Sequence, residues 1–409
     1  PFWPMLLHQQ VTRFLMTTER ELHEATLLVR GGLQRTGFDE TAEGLFLTSG
    51  YVYSSAAEAE AAFAGEHDRY IYSRYGNPTV SMFEERLRLI EGAESCMATA
   101  SGMAAVFASL ASFVSAGDKV VGSRALFGSC HVIMSEILPR FGVETIQVDG
   151  TSLNEWEEAL AGGARAVFLE TPSNPGLEII DLAAVSEMAH AAGALVIVDN
   201  VFASPILQKP LDFGADVVVY SATKHIDGQG RVLGGAVLST KQFETDYLKP
   251  FTRHTGPSLS PFNAWVLVKG LETLRLRVDA MSRSAQTLAE QLEQHSAIAR
   301  VGYPMLASHP QFELAKRQMS AGGTILTIDV GNKQNAFAFM DALQLFDISN
   351  NVGDSKSLAT HPATTTHRRI GAEGRALVGI GDGMIRLSIG LEDPQDLYTD
   401  LDTALTHLP

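Results

Sequence analysis

Seven short apolar runs recur between residues 96 and 240. They are CMATA (96–100), KVVGS (119–123), ETIQV (144–148), AVFLET (166–171), LVIVDN (195–200), VVVYSA (217–222) and GAVLST (235–240). Most are continuous rather than alternating, so they predict strands covered on both faces, the environment of a mainly parallel sheet. Spacings of about 20 to 28 residues leave room for a crossover helix between neighbours. The chain is therefore expected to contain an open α/β sheet. Its 36 glycines suit the tight turns that such a sheet needs.

The flanks read differently. Residues 30 to 75 have poor periodicity and predict an extended arm with one short helix over Ser55 to Ala64. Leu267 to Gln294 predicts a long helix, with Leu267, Leu271, Leu274 and Val278 on one face. Beyond it, GTILTIDV (323–330), a helix around Asn335 to Leu343 and MIRLSIG (384–390) suggest a smaller α+β domain. The expected division is an arm over 1–75, a large domain over 76–275 and a small C-terminal domain over 276–409. PFWPMLLHQQVTRFL (1–15) lacks the basic start and cleavage site of a secretory signal. Met16-Thr-Thr-Glu reads as a natural start, which would make residues 1–15 upstream sequence without function.

Composition narrows the class. With 47 acidic and 31 basic side chains, the net charge of -16 argues against a nucleic-acid binder, which needs clustered positive charge. The longest apolar stretch, Met103 to Val114, falls short of the roughly 18 residues a spanning helix requires. Cys96 and Cys130 cannot make a disulfide framework or a four-thiolate zinc site. A cytoplasmic enzyme is the expectation.

In open α/β sheets, ligands collect beyond the carboxyl ends of parallel strands. Four such ends carry polar groups: Ser101-Gly102-Met103, Glu170 to Pro175, Asp199-Asn200 and Ser221-Ala222-Thr223-Lys224. Gly102 lets a ligand approach the backbone, and the helix that starts there offers free N–H groups to an anion. Asp199 emerges from a buried strand, where an unpaired charge is costly, so it needs a cationic partner. A lysine at the mouth of a buried strand is easily made neutral, and a neutral amine can form a Schiff base or remove a proton. Asp199 and Lys224 are one strand–crossover–strand unit apart. The combination suits pyridoxal phosphate: Lys224 for the aldehyde, Asp199 for the ring nitrogen, and hydroxyls with a helix start for the phosphate. His225 has no second histidine or cysteine at ligand spacing, so no metal is expected. His361 and His367 lie in a polar loop and are expected to be solvated or capping. DGQGRVLGG (227–235) lacks the pattern of a nucleotide loop.

Longer motifs sharpen the reading. YSRYGNPT (72–79), ETPSNP (170–175), VDN (198–200), YSATKHIDGQGRVLGG (220–235) and MIRLSIGLED (384–393) resemble the cysteine/methionine-metabolism family of pyridoxal-phosphate enzymes. The resemblance runs from about Thr26 to the end. SATKHIDGQGR and HTGPSLSPFNAWVLVKGLETL look most like its O-succinylhomoserine sulfhydrylase branch. It implies an aspartate-aminotransferase-like fold with Lys224 and Asp199 as catalytic residues. Gly102, Met103, Ser221 and Thr223 would hold the phosphate, with Tyr72 and Arg74 reaching it from a neighbouring subunit of a homotetramer. Arg386 would clamp the substrate carboxylate, helped by Asn174 and Ser357. Many members of the family place a stacked tyrosine where this chain has Leu126-Phe127-Gly128. Phe127 can stack on the cofactor but cannot carry a proton, which favours a synthase-like role over a lyase. The implied reaction joins a homoserine ester to sulfide, with cystathionine γ-synthase and methionine γ-lyase activities as the alternatives.

Overall fold

The computed structural model describes residues 22–409, so the reading of residues 1–15 lies outside the described residues. Each of the seven apolar runs forms a strand: β1 (Ser95–Thr99), β2 (Lys119–Ser123), β3 (Glu144–Val148), β4 (Ala166–Glu170), β5 (Leu195–Asp199), β6 (Val217–Tyr220) and β7 (Gly235–Ser239). They form one sheet in the order β1-β7-β6-β5-β4-β2-β3. The central and far strands are parallel, as expected, while β7 runs antiparallel to both β1 and β6. The spacing argument does not hold at that one connection. Residues 221–234 form turns instead of a crossover helix and send the chain straight back.

Every residue of β4, β6 and β7 is buried because both faces are covered. Alternate residues enter opposite cores. Val218, Tyr220, Val167 and Val196 face one cluster, whereas Val217, Val219, Phe168 and Ile197 face the other. Each large aliphatic side chain buried this way contributes about 1.5–3 kcal/mol against exposure.

A second sheet contains β8 (Arg300–Gly302), β9 (Ile325–Asp329), β10 (Asp347–Ile348), β11 (Leu358–Thr360) and β12 (Met384–Ser388) in the order β10-β11-β12-β9-β8. The helix expected around 335–343 spans Lys333–Ala342, with Asn332 capping its start.

The long helix expected over 267–294 is two helices, Pro261–Glu272 and Leu274–Glu293, broken at Thr273 (φ -112°, ψ 7°). Leu267, Leu271, Leu274 and Val278 do share one core, that of the large sheet. The second helix then continues into the core of the small sheet through Ala285, Leu288 and Leu292. The expected boundary between 275 and 276 thus falls inside a helix that belongs to both cores. In the arm, Ser55 caps the helix Ala56–Ala64 by accepting the Glu58 N–H. Phe38, Leu47, Val52 and Phe63 of the arm stay largely exposed.

Candidate active site

The polar strand ends converge. The helix Gly102–Ala111 starts beside the end of β6, with Ser101 capping it by accepting the Ala104 N–H at 3.2 Å. A β-carbon at Gly102 would stand 2.5 Å from the Cβ of Ser221, so only glycine allows this approach. The helix start and the hydroxyl-bearing strand end thereby form one cradle, with free N–H groups on one wall. Met103 packs behind it, its sulfur 4.0 Å from the Cys130 thiol. Thr223 Oγ1 donates to the Gly234 carbonyl at 3.2 Å and accepts the Gly234 N–H at 3.1 Å, which ties the lysine loop back to β7.

Asp199 ends β5 with only 7% exposure, and its carboxylate accepts the Val201 N–H at 3.1 Å. Burial pushes its carboxyl up to about 7, with the Val201 N–H and the Lys224 charge pulling the other way. Lys224 is half-buried and donates to Asn351 Oδ1 at 2.6 Å. Burial and the nearby Arg386 charge lower its amine to about 8, while Asp199 opposes the shift. A lysine near 8 is partly neutral at physiological pH, the state that nucleophilic and proton-transfer chemistry require.

Asn351 belongs to the small domain, and its loop is held against the lysine loop. A β-carbon at Gly353 would meet the His225 backbone nitrogen at 2.7 Å. The Ser355 N–H reaches the Gly228 carbonyl at 2.9 Å. Arg386 on β12 is buried and completes the rim. Its Nη1 donates to Asn174 Oδ1 at 2.9 Å, and its Nη2 to the Asn350 and Asn351 carbonyls at 2.9 and 3.3 Å. Arg386 Nε has no partner among the described residues. A buried guanidinium with a spare donor can take an anionic partner such as a carboxylate. Phe127 sits half-buried at the loop after β2, its N–H donating to Glu170 Oε2 at 2.8 Å.

Not every expected residue joins this group. The Ser357 hydroxyl donates to Glu392 Oε2 at 2.9 Å and accepts the Gly390 N–H at 2.9 Å, so it is taken up by partners within the small domain. Tyr72 and Arg74 are exposed, and the Arg74 guanidinium lies over the rings of Tyr72 (5.3 Å) and Tyr75 (4.7 Å). Arg74 also donates to the Arg253 carbonyl. Among the described residues of one chain, neither hydrogen-bonds to Lys224, Asp199 or Arg386.

The histidines correct a sequence expectation. His361 and His367 are not solvated; both are buried. His361 Nε2 lies 2.8 Å from the Asp382 carbonyl and Nδ1 2.9 Å from Thr364 Oγ1. His367 Nε2 lies 3.4 Å from the Leu126 carbonyl. His367 is covered where its segment meets the Phe127 loop, and His361 where it meets the Asp382 carbonyl and the Phe337 ring. His225 spans the Val201 carbonyl and Thr324 Oγ1, a structural bridge between the two sheets. Sequence reasoning missed Asn351 and gave Glu170 no role. Asparagine in a loop has no periodic signature, so only the tertiary contact identifies the first.

The cradle, the lysine amine and the buried carboxylate fit pyridoxal phosphate. The comparison with known families agrees. The model of the Cys/Met metabolism PLP-dependent enzymes matches residues 25–406.

The chain belongs to this family.

Pyridoxal 5'-phosphate is its cofactor, and it is an enzyme acting on small molecules. The chain is 61% identical over 389 residues to an O-succinylhomoserine sulfhydrylase of Mycobacterium tuberculosis, covering 94% of this chain and 96% of that one. It is 38% identical over 391 residues to an L-methionine gamma-lyase of Porphyromonas gingivalis, covering 94% and 97%. Among solved structures, a Campylobacter jejuni protein assigned as an O-acetylhomoserine (thiol)-lyase superposes with a TM-score of 0.90 at 32% identity, covering 94% and 100%. That structure carries a pyridoxyl-lysine monophosphate. An aspartate-aminotransferase-like α/β architecture follows, with a mostly parallel large sheet and a separate smaller one. Among the described residues, no helix is long and apolar enough to cross a membrane.

Proposed function

We propose that this enzyme exchanges the γ-substituent of O-succinylhomoserine for sulfide, giving homocysteine and succinate in methionine biosynthesis. The observation that carries the reading is the half-buried Lys224 amine, lowered to about 8 and held by Asn351 beside the spare donor of Arg386. The 61% relative supports the choice of ester and nucleophile over the 38% lyase.

When bound, pyridoxal phosphate supplies an electron-withdrawing ring that stabilises negative charge developing on the substrate carbons. The Gly102 and Met103 N–H groups and the Ser221 hydroxyl would hold its phosphate, joined by the Thr223 hydroxyl once that turns from the Gly234 carbonyl. Asp199 keeps its ring nitrogen protonated, and that positive partner would draw the Asp199 carboxyl back down. Arg386 binds the substrate carboxylate, oriented by Asn174 through the 2.9 Å bond. Ser357 assists by bracing β11 against Glu392. Lys224 would take the α and then the β proton before succinate leaves, and return both after sulfide adds at the γ carbon. Asn351 holds the amine while it is unattached. Phe127 presents a ring without an acidic proton, which disfavours the protonations that lead to elimination.

Tyr72 and Arg74 serve the phosphate of a neighbouring subunit, in a homotetramer built from dimers that share sites. Their exposure, and the lack of any hydrogen bond from them to Lys224 among the described residues of one chain, support this arrangement. We place the enzyme in the cytoplasm.

Product analysis tests the reading. O-succinylhomoserine is supplied with equal concentrations of sulfide and cysteine, and homocysteine should prevail with little α-ketobutyrate. Predominant cystathionine would replace this assignment with cystathionine γ-synthase, and predominant α-ketobutyrate with a methionine γ-lyase-like activity.

A further inference from the structure

Glu170 ends β4 directly opposite Asp199 in the parallel register of β4 and β5. It is 3% exposed. Burial and the adjacent Asp199 charge hold its carboxyl well above the usual carboxylate range. Two carboxyl groups side by side in a sheet interior are costly to folding, and a well-packed apolar residue there would be cheaper. Stability therefore does not account for Glu170.

Its bonds suggest what does. Glu170 accepts the N–H of Phe127 at 2.8 Å, and the backbone N–H of Asn174 lies near enough to favour its charged form. Asn174 in turn accepts from Arg386 at 2.9 Å. One carboxyl thus grips two segments that no strand pairing secures: the loop that presents Phe127 and the turn that presents Asn174 to the guanidinium. The Phe127 loop has a second anchor on its other side. His367 Nε2 meets the Leu126 carbonyl, and the Thr366 carbonyl lies where a Gly128 β-carbon would stand 2.5 Å away. That contact comes from the small domain, whereas Glu170 comes from the floor of the large sheet.

We propose that Glu170 is a positioning residue that sets the Phe127 loop and the Asn174–Arg386 clamp as one unit. It acts through Phe127 and Asn174 and moves no proton of the substrate. The inference rests on the reading that Phe127 faces the cofactor and Arg386 the substrate carboxylate.

A double-mutant cycle tests it, using Glu170→Ala, Phe127→Leu and the double variant. Three quantities are measured: pyridoxal-phosphate affinity of cofactor-depleted protein, circular dichroism of the bound cofactor, and KM for O-succinylhomoserine. Loss of a buried bond of this kind is worth about tenfold. Glu170→Ala should weaken cofactor binding and raise KM by about that factor, change the cofactor dichroism, and lower kcat less. The double variant should bind cofactor within about twofold of Phe127→Leu alone, because the first loss acts through the second residue. Fully additive losses, or an unchanged dichroism and KM in Glu170→Ala, would overturn the proposal. Glu170→Gln keeps one acceptor oxygen and the side-chain volume, so it carries the test if the alanine variant fails to fold. Its KM should rise about threefold with dichroism near wild type, and an unchanged KM would overturn the proposal. Wild-type product identity is read in the same series. A wrong product there counts against the assigned reaction and leaves the positioning role to the cycle.

Discussion

Replacing Asp199 by asparagine should move stability and catalysis in opposite directions. In the cofactor-free chain, burial raises the Asp199 carboxyl from 3.8 to about 7. Between those values the folded protein retains a proton that the unfolded chain has released, so stability falls as pH rises through the window. A shift of about 3 units at 1.36 kcal/mol each costs about 4 kcal/mol by pH 7. Asparagine carries no such cost and keeps an oxygen for the Val201 N–H, which Asp199 holds at 3.1 Å. It also removes the negative charge that favours the Lys224 ammonium. That attraction is already contained in the net shift, and relaxation of the buried site takes up about half of the gain, which leaves a net stabilisation of about 2 kcal/mol. Denaturant midpoints of cofactor-free wild type and Asp199→Asn, measured from pH 4.5 to 8, provide the assay. The difference should start near zero at the acid end, grow to about 2 kcal/mol near pH 7 and flatten above it. The same variant loaded with cofactor should lose most of its turnover, because a neutral amide cannot hold the ring nitrogen protonated. A cofactor-free variant less stable than wild type at pH 7, or a difference that ignores pH, would refute the burial argument. Near-normal turnover would refute the role of Asp199 at the ring.

Lys224→Ala should bind pyridoxal phosphate without a covalent bond and lose turnover by about three orders of magnitude or more, and mass spectrometry locating the cofactor on another lysine would contradict this. Arg74→Ala and Lys224→Ala, each inactive, should regain partial activity when co-assembled, since some mixed sites are intact at both positions. No recovery in demonstrably mixed oligomers would count against a shared site. Phe127→Tyr should raise α-ketobutyrate formation in the absence of sulfide; an unchanged rate would mean that the missing hydroxyl is irrelevant to product choice.

Much of the site was legible because its chemistry hangs on strand ends. The strands β1 to β7 lie within a residue or two of seven apolar runs, and a residue that follows such a run is at the rim of the sheet by necessity. Asp199 and Lys224 were therefore located without coordinates, and so was the Gly102 turn. The motif at 384–393 likewise marked Arg386. Longer-range matters were not legible. Lys224 meets Asn351 across 127 positions, and Arg386 meets Asn174 across 212. Periodicity registers neither asparagine; Asn174 was marked only through the motif at 170–175, Asn351 not at all, and Ser357, six residues after Asn351, turns towards Glu392 instead.

The division has a physical cause. Sequence by itself determined which segments are buried on both faces and which polar residues terminate them, because burial demands apolar side chains locally, one residue at a time. Strand direction at β7, the break at Thr273 and the burial of His361 and His367 were decided only in three dimensions. Each depends on which distant surface a segment meets. His361 and His367 come from a polar stretch yet are buried because distant carbonyls pair with their rings, that of Asp382 with His361 and that of Leu126, more than two hundred residues earlier, with His367.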